Sequence, residues 1–375
     1  IHFYIWMRLV RDPQLLPPWR GASTLLLVAL ALSLPAAFLL GPVLNPPWRH
    51  LITWPAFSWM GLMFILLVVL AGIDLARLLG LMVMKLGSWR WPPPEAGPLI
   101  ARELAGVALA VTLVAGFLSA VNARSFPVVR NLEVTLPGLS QEMDGTSIVQ
   151  LSDLHLGPTL GRDFTEEVAR AVGELKPDVV AITGDLVDYG VDELRDAVAP
   201  LGKIEATHGV YFVTGNHEYY VGVDEWLDEL PRLGLRVLAN EHVLIGDGEA
   251  GFVLAGVNDP TGRMYPGHEP DLARALERRQ AGMPVVLLAH QPLLVKQAAE
   301  QGVALQLSGH THHGQIWPFT YAVLLQQPYV WGLVKHGPTM LYTSPGTGYW
   351  GPPMRLGSRS EITRIVLKAG AAAGP

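Results

Sequence analysis

Five short apolar runs in this chain each end at residues that can bind a metal ion. The ends read, in chain order, Asp153-Leu154-His155, Gly184-Asp185, Gly215-Asn216-His217, Ala289-His290 and Gly309-His310-Thr311-His312. The runs before them, such as VVAIT at 179–183, have the length and the β-branched content of strands that are buried on both faces of a sheet. Functional crevices lie at the carboxyl ends of parallel strands, so we expect the five ends to converge on one site.

The composition divides the chain into two differently solvated parts. Hydrophobic residues make up 50% of the sequence and the mean hydropathy is +0.30, which is high for a soluble protein of 375 residues. Residues 1–120 hold eight Lys/Arg against four Asp/Glu (net +4), and the remainder holds nineteen against twenty-nine (net −10), for a total of −6. An acidic C-terminal part argues against a nucleic-acid partner, which would need a basic surface. The absence of cysteine excludes disulfides and thiolate zinc sites.

Residues 1–124 are predicted to form a transmembrane helical region. Three stretches without an ionisable acid or base, 21–48, 51–73 and 104–123, each supply the ~20 residues that cross a hydrocarbon core. The opening IHFYIWM resembles the end of another span. We therefore expect three spans plus a remnant of a fourth.

The basic residues of the connecting segments favour one orientation in the cell membrane. Three arginines flank the first connection and four basic residues lie in the third, which also carries a proline run at 92–94, whereas only Arg49 lies in the second. The arginines of the first connection are Arg8, Arg11 and Arg20, and the basic residues of the third connection are Arg77, Lys85, Arg90 and Arg102. The positive-inside rule then puts the chain from 125 onward on the extracytoplasmic side. A span count that is wrong by one would put it in the cytoplasm.

From residue 125 to residue 375 the pattern predicts a separate α/β domain. Strand-like runs alternate there with helical patterns at 163–175, 191–203, 223–234, 270–281 and 292–301. Two further β-rich stretches, 242–257 and 338–368, lack intervening helices. They indicate a second sheet or an antiparallel extension of the first.

The residue types at the five strand ends indicate the kind of metal. Carboxylate and imidazole ligands without thiolate suit first-row divalent ions such as Mn, Fe or Zn. Two such ions ~3.5–4 Å apart, bridged by one carboxylate, clamp the attacking and leaving oxygens of a phosphoryl transfer and lower the pKa of a bridging water. The amide oxygen of Asn216 is a neutral ligand, which limits the charge of such a site.

The five motifs together resemble those of the calcineurin-like metallophosphoesterases. That family reads DxH, GDxxD, GNHE, an isolated His after a strand, and GHxH, and all five blocks occur here in order between residues 153 and 312. GHTHHGQ at 309–315 and GYWGPPMRLGSRSEIT at 348–363 are similar to a bacterial membrane-associated branch with YkuE- and YaeI-type phosphodiesterases. That branch usually has Gly where this chain has His313. The resemblance implies an α/β/β/α sandwich after the transmembrane helices.

The resemblance also implies a role for each motif residue. The first ion would be held by Asp153, His155, Asp185 and His312, and the second by Asp185, Asn216, His290 and His310. Asp185 would then bridge the two ions, and a bridging hydroxide would be the nucleophile. His217 would be no ligand but would donate a proton to the leaving oxygen or stabilise the transition state. Asp188 and Glu218 either support the ligands or are surface or turn carboxylates.

Two further residues are weaker candidates for substrate binding. Asp259 follows the apolar run GFVLAGV, at a place that resembles a family position near the pocket, although Asn-Asp-Pro is also a turn sequence. Arg355 is a candidate contact for a substrate phosphate, and a surface position is the alternative.

One uncharged stretch directly follows the last ligand motif. Residues 314–334 read GQIWPFTYAVLLQQPYVWGLV, with two Trp, two Tyr and one Phe. Its two prolines and three glutamines argue against another complete span. It is either a buried core segment or a loop beside the metal site that enters the headgroup region of a bilayer, where Trp and Tyr are favoured.

These features predict a membrane-anchored, dinuclear-metal phosphoesterase. The expected reaction is hydrolysis of a phosphodiester or pyrophosphate bond in a lipid-linked or envelope substrate. The alternatives are a phosphomonoesterase and a catalytically silent metal-binding sensor, but the complete ligand set with His217 argues against a silent module. The expected partners are the phosphoester substrate and the bilayer, and the sequence carries no signal for a particular oligomeric state.

Overall fold

A computed structural model describes residues 1–45, 47–87, 96–248 and 250–370. Arg90 and the proline run at 92–94 lie outside the described residues. The chain divides into two compact units, which we call the first and the second unit. The first comprises Ile1–Arg124 and Gly351–Leu356, and the second comprises Ser125–Trp350 and Gly357–Pro375. The sequence analysis divides the chain after residue 124 as well, but it assigns the six residues from 351 to 356 to the C-terminal domain.

The first unit is helical. Its α-helices are α1 (His2–Trp6), α2 (Pro17–Leu40), α3 (Trp48–Leu86) and α4 (Gly97–Arg124). Of the helices in the described part of the chain, α2, α3 and α4 are long and apolar enough to cross a membrane. The short helix α1 buries Ile5 in an apolar cluster with Leu66, Leu70 and Ala108, so it packs against the longer helices. Tyr4 and Arg8 both donate hydrogen bonds to the carboxylate of Asp74 on α3, at 2.5 and 2.9 Å.

Helix α3 is longer than the sequence analysis expects. Its 39 residues span roughly 58 Å at 1.5 Å per residue, about twice the thickness of a hydrocarbon core. The charge of Asp74 predicts the end of this span at residue 73, but Leu, Met, Ala, Lys and Arg after it are good helix formers. Arg77 and Lys85 therefore lie on the helix and not in a loop.

The second unit contains two six-stranded sheets. Its strands are β1 (Val128–Pro137), β2 (Ser147–Leu151), β3 (Val179–Thr183), β4 (Val210–Val213), β5 (Leu235–Val237), β6 (Glu241–Asp247), β7 (Ala250–Gly256), β8 (Val285–Leu288), β9 (Leu305–Ser308), β10 (Gly332–His336), β11 (Thr339–Thr343) and β12 (Glu361–Gly370). The strand order is β1-β12-β2-β3-β4-β5 in one sheet and β10-β11-β9-β8-β7-β6 in the other. Strands β2, β3 and β4 are parallel to one another, and so are β7, β8 and β9. Each sheet therefore brings three consecutive carboxyl ends to one edge.

The two sheets pack face to face around one apolar core. Fully buried side chains from both sheets, among them Ile148, Val213, Leu254 and Leu305, belong to a single cluster. The helices of this unit are α5 (Arg162–Glu174), α6 (Val191–Val198), α7 (Asn216–Val221), α8 (Val223–Arg232), α9 (Leu272–Ala275), α10 (Val295–Glu300) and α11 (Thr320–Val323). On the second sheet, Leu272 and Ala275 of α9 and Ala298 of α10 pack in a second apolar cluster with β7 and β8. The expected α/β/β/α sandwich is confirmed.

Several elements differ in extent from the sequence pattern. The helix expected at 270–281 shrinks to the four residues of α9, and the backbone at Arg278 has left-handed φ, which no helix accommodates. The stretch 242–257 forms the antiparallel pair β6–β7 in the second sheet. The stretch 338–368 is divided, because β11 joins the second sheet whereas β12 joins the first.

Candidate metal centre

All five predicted motifs lie directly after strand ends in the second unit. Asp153 and His155 follow β2, Asp185 follows β3, and Asn216 begins α7 just after β4. His290 follows β8, and the two histidines of the last motif, His310 and His312, follow β9. The sheet edges at which these strands end therefore carry residues from both halves of the sandwich.

The first group of predicted ligands consists of Asp153, His155 and His312. Their ligand atoms lie close enough together to hold one metal ion. The Nε2 atoms of His155 and His312 are 3.0 Å apart, and His312 Nε2 lies 3.5 Å from Asp153 Oδ1. The three side chains are buried, so a charge placed among them is shielded from water.

The second group consists of Asp185, His290 and His310, whose ligand atoms also converge. His290 Nε2 lies 3.2 Å from Asp185 Oδ2 and 3.2 Å from His310 Nδ1. His290 Nδ1 donates to the carbonyl oxygen of Thr183 at 2.8 Å, which leaves Nε2 free to act as the ligand. Asp185 Oδ2 is also 3.7 Å from His155 Nε2. The carboxylate of Asp185 therefore lies between the two groups.

The donor set fits two divalent ions. Two nitrogens about 2.1 Å from one ion, at tetrahedral or octahedral angles, are roughly 3.0–3.4 Å apart, and the two close nitrogen pairs match that separation. Asn216 supplies a second observation, since its buried Oδ1 has no hydrogen-bond partner among the described residues. A buried amide oxygen without a partner is costly unless an ion or a water binds it.

Left-handed backbone conformations are concentrated in the ligand loops. Asp153, His155, Asp185, His310 and His312 all have φ between 47° and 71°. This region is uncommon for residues other than glycine, although Asp, Asn and His enter it more readily than others. Strained backbone of this kind is retained where the surrounding structure holds side chains in a required position. The loops therefore aim their side chains inward at a conformational cost.

The loops carrying Asp185 and Asn216 approach each other at a pair of glycines. A Cβ on Gly184, whose φ is +86°, would lie 2.5 Å from the backbone nitrogen of Gly215. A Cβ on Gly215 would lie 2.2 Å from a carboxylate oxygen of Asp185. Only glycine allows this approach, which explains the glycine that precedes each ligand in the two motifs.

Asp188 connects one predicted ligand to the predicted proton donor. Its Oδ1 accepts hydrogen bonds from His155 Nδ1 and from His217 Nδ1, each at 2.8 Å. Burial opposes the charge of Asp188, but the two imidazoles outweigh burial and lower its pKa to about 2. Burial likewise opposes the His217 cation, but the Asp185 and Asp188 carboxylates raise the His217 pKa to about 9. Asp188 therefore supports the site, and the alternative of a turn carboxylate is wrong.

Glu218 holds two ligand loops together. Its buried carboxylate accepts backbone hydrogen bonds from Gly215 at 2.6 Å, from Leu186 at 2.7 Å and from Asp185 at 3.1 Å. Burial and the nearby Asp185 raise the pKa of Glu218 to about 7. The motifs GDxxD and GNHE contain both supporting acids, yet spacing alone does not reveal which backbone groups they bind.

His217 lies in an aromatic surround that the sequence analysis did not assign. Tyr220 and Trp350 pack edge-on against its ring, with centroid distances of 5.4 and 5.7 Å. His217 also lies close enough to His155 and Asp185 to be counted among ligand groups. Its Nδ1 is engaged by Asp188, so Nε2 remains for the chemistry.

The two weaker candidates lie in different surroundings. Asp259 is buried, accepts from the backbone of Thr261 at 2.8 Å, and accepts from Gln291 Nε2 at 2.9 Å, so it forms a turn and braces the residue after His290. Arg355 belongs to the first unit and is fully buried there. Its backbone nitrogen donates to Ser119 on α4. The surface position proposed as the alternative for Arg355 is wrong, and a contact with a substrate phosphate stays a prediction.

Comparisons with known proteins agree with this geometry. The model of the family described as calcineurin-like phosphoesterase matches residues 146–314. A zebrafish (Danio rerio) transmembrane protein with metallophosphoesterase domain is 41% identical over 333 residues, covering 86% of this chain and 75% of the relative. Its bovine (Bos taurus) counterpart is 41% identical over 338 residues, covering 85% and 74%. The uncharacterized metallophosphoesterase YkuE of Bacillus subtilis is 30% identical over 233 residues, covering 60% and 80%.

Motifs, fold, ligand geometry and relatives therefore agree. Metal-dependent phosphoester hydrolysis with two divalent ions is the common property of this family, and the clustered Asp and His side chains match it. The chain belongs to the calcineurin-like metallophosphoesterases.

Proposed function

We propose that this chain is a membrane-anchored phosphoesterase that hydrolyses a phosphodiester or pyrophosphate bond of a lipid-linked or envelope substrate. The observation that carries the proposal is the position of Asp185. Its Oδ2 lies 3.2 Å from His290 Nε2 and 3.7 Å from His155 Nε2. One carboxylate shared by two groups of ligands is what a dinuclear site requires. Three apolar helices in the same chain support the membrane anchor.

In this proposal each ion has four ligands. Asp153, His155, Asp185 and His312 hold one, and Asp185, Asn216, His290 and His310 hold the other. When bound, the two ions supply Lewis-acid activation of the attacking water and of the phosphoryl group. The protein side chains fix the positions of the ions, and Asp188 and Glu218 keep the ligand loops in place.

His217 is proposed to donate a proton to the leaving oxygen. Asp188 accepts from its Nδ1 at 2.8 Å, which orients the ring and favours the charged imidazolium. A charged His217 can deliver the Nε2 proton to an alkoxide or phosphate that would otherwise leave as a poor anion. Asp188 therefore acts as a positioning residue for this step.

The membrane anchor supports the proposed substrate class. A chain tethered to a bilayer meets lipid-linked substrates at a raised local concentration. The catalytic domain is proposed to lie on the extracytoplasmic side of the cell membrane, where envelope substrates are found. This orientation is supported by the excess of basic residues around the first and third connections.

A substrate panel tests the reaction type. The chain of 375 residues in detergent, stripped with a chelator, is expected to be inactive and to recover on addition of Mn²⁺, Fe²⁺ or Zn²⁺. Turnover of phosphodiesters and lipid pyrophosphates is expected to exceed that of phosphomonoesters. Faster turnover of monoesters would assign a phosphomonoesterase, and binding of metal without turnover of any ester would favour the silent sensor.

Asp185→Asn tests the shared ligand. The substitution is expected to abolish turnover and to reduce the bound metal, because both ions lose an anionic ligand. The measurements are metal content by mass spectrometry and kcat on a soluble diester. Asp196→Asn, an exposed change on α6, is the matched control and should change neither quantity. Two equivalents of metal with normal turnover in Asp185→Asn would disprove the shared role.

His217→Asn tests the proton donor. Metal content is expected to remain near normal, whereas kcat should fall by about 10²–10⁴-fold, the usual contribution of a positioned acid. The loss should shrink for esters with good leaving groups, since these need less protonation. His208→Asn provides the control for a histidine outside the site. An equal loss for activated and unactivated esters, or loss of metal, would contradict the acid role.

Cysteine labelling tests the orientation of the chain. Because the sequence has no cysteine, a cysteine appended after Gly370 is a unique reactive group. A membrane-impermeant maleimide is expected to label it in intact cells. Labelling that requires lysis of the cells would place the metal centre in the cytoplasm and would exclude envelope substrates.

A further inference from the structure

The stretch after the last ligand motif presents an exposed apolar surface. We call Trp317, Phe319, Tyr321, Leu324 and Leu325 the aromatic platform. Their exposed fractions include 53% for Trp317, 64% for Tyr321 and 90% for Leu325. Residues 314–334 contain no Asp, Glu, Lys or Arg, so no charge interrupts this surface along the chain. Of the two alternatives for this stretch, a buried core segment is therefore excluded for these five side chains.

The segment that carries the platform is fixed to the ligand loops. Thr320 Oγ1 donates to the carbonyl oxygen of His313 at 2.8 Å, next to the ligand His312. Thr311 Oγ1 donates to the carbonyl oxygen of Val330 at 2.6 Å, and this threonine lies between the two ligands of its loop.

A third contact holds the other end of the segment. Gln327 is buried, and its Nε2 donates to Oε1 of Gln291 at 3.3 Å. Gln291 is the residue that follows His290. Three contacts thus connect the segment to loops that carry His290, His310 and His312. Anything that binds the platform is therefore held at a fixed position relative to the predicted metal ligands.

Trp331 does not belong to the platform. His313 stacks on its ring at a centroid distance of 5.0 Å and an interplanar angle of 14°. The guanidinium of Arg130 lies 4.5 Å from the same ring centroid. The ring of Trp331 therefore packs against protein groups. Insertion into lipid is assigned to the most exposed side chains of the platform, which are Leu325, Tyr321 and Trp317.

The chemistry of the platform fits a lipid surface. Exposed apolar patches mark sites of protein or membrane interaction. Trp and Tyr prefer the headgroup region of a bilayer, where an apolar ring and a polar atom are both accommodated. Helices α2, α3 and α4 are long and apolar enough to cross a membrane, which favours a lipid surface as the apolar phase that the platform meets.

We propose that the aromatic platform inserts into the lipid surface and holds the headgroup phosphate of a lipid substrate at the metal centre. The second half of this statement rests on the proposed phosphoesterase function. The first half concerns binding alone. The two are therefore tested by separate measurements.

A fluorescence experiment tests insertion without reference to activity. Leu325→Cys introduces a single cysteine into the chain of 375 residues, which is labelled with bimane. The labelled protein is then reconstituted into phosphatidylcholine vesicles. Leu244→Cys, an exposed leucine on β6, is the matched control. Brominated phosphatidylcholine is expected to quench the probe at 325 strongly and the probe at 244 weakly.

Three results would overturn insertion. One is equal quenching at the two positions, and another is quenching at neither position. The third is a probe at 325 that is protected from water-soluble iodide but not quenched by brominated lipid, which would indicate a protein partner. The probes report on lipid contact whether or not the chain hydrolyses any ester.

An activity ratio tests the presentation of the headgroup. A 4-nitrophenyl diester of a diacylglycerol phosphate in phosphatidylcholine vesicles is compared with soluble bis(4-nitrophenyl) phosphate. In the double variant Trp317→Ser/Leu325→Ser the ratio of lipid to soluble turnover is expected to fall about tenfold or more, because two apolar side chains no longer enter the lipid. Leu244→Ser should leave the ratio unchanged.

The outcomes of the ratio experiment are distinct. An unchanged ratio in the double variant would overturn the presentation of the headgroup. An equal loss on both substrates would assign the two residues to the fold and would have the same consequence. Hydrolysis of neither substrate by the wild-type chain would refute the proposed function, while the quenching result would stand by itself.

Discussion

The candidate metal centre depends on keeping the carboxylate of Asp185 charged inside the protein. Burial opposes that charge, but His290 and His217 outweigh it and hold the pKa of Asp185 well below its usual range. Asp153 is in the opposite position, since burial raises its pKa and Asp185 adds repulsion. A buried charge without a partner is strongly destabilising. Positive charge beside these carboxylates, on imidazoles or on a bound ion, therefore stabilises the loops as well as serving the chemistry.

Much of the fold is visible in the sequence because buried parallel strands are continuous apolar runs. β2, β3, β4, β8 and β9 all lie where such runs predict them. The short strands β5 and β10 were missed, because three and five residues at the edge of a sheet leave too little apolar periodicity to recognise. The sequence offered Arg355 as a candidate contact for a substrate phosphate or as a surface residue, and its burial overturns the surface position alone. The local sequence could not indicate that its segment packs with α4.

The convergence of the predicted ligands also follows from the strands, but their support does not. Asp188 and Glu218 belong to recognisable motifs. However, the partner of Asp188 is His155 on another loop, and the partners of Glu218 are backbone groups of Leu186 and Gly215. Such partners depend on loop conformation, which no periodicity encodes. Composition also could not distinguish the aromatic platform from a core segment, since both are rich in Trp, Tyr and Leu.

The left-handed ligand loops have a consequence for the descent of such chains. Asp153, His155 and Asp185 have a left-handed backbone conformation that favours glycine, and the proposed metal-ligand role of their side chains explains why glycine is absent there. Once a lineage no longer needs the metal, substitution by glycine at these positions relieves the strain of the left-handed backbone. We therefore expect silent descendants to accumulate glycine or asparagine at these sites and not alanine or valine. Retention of all three residues is then a marker of continued metal use that can be read from a sequence alone.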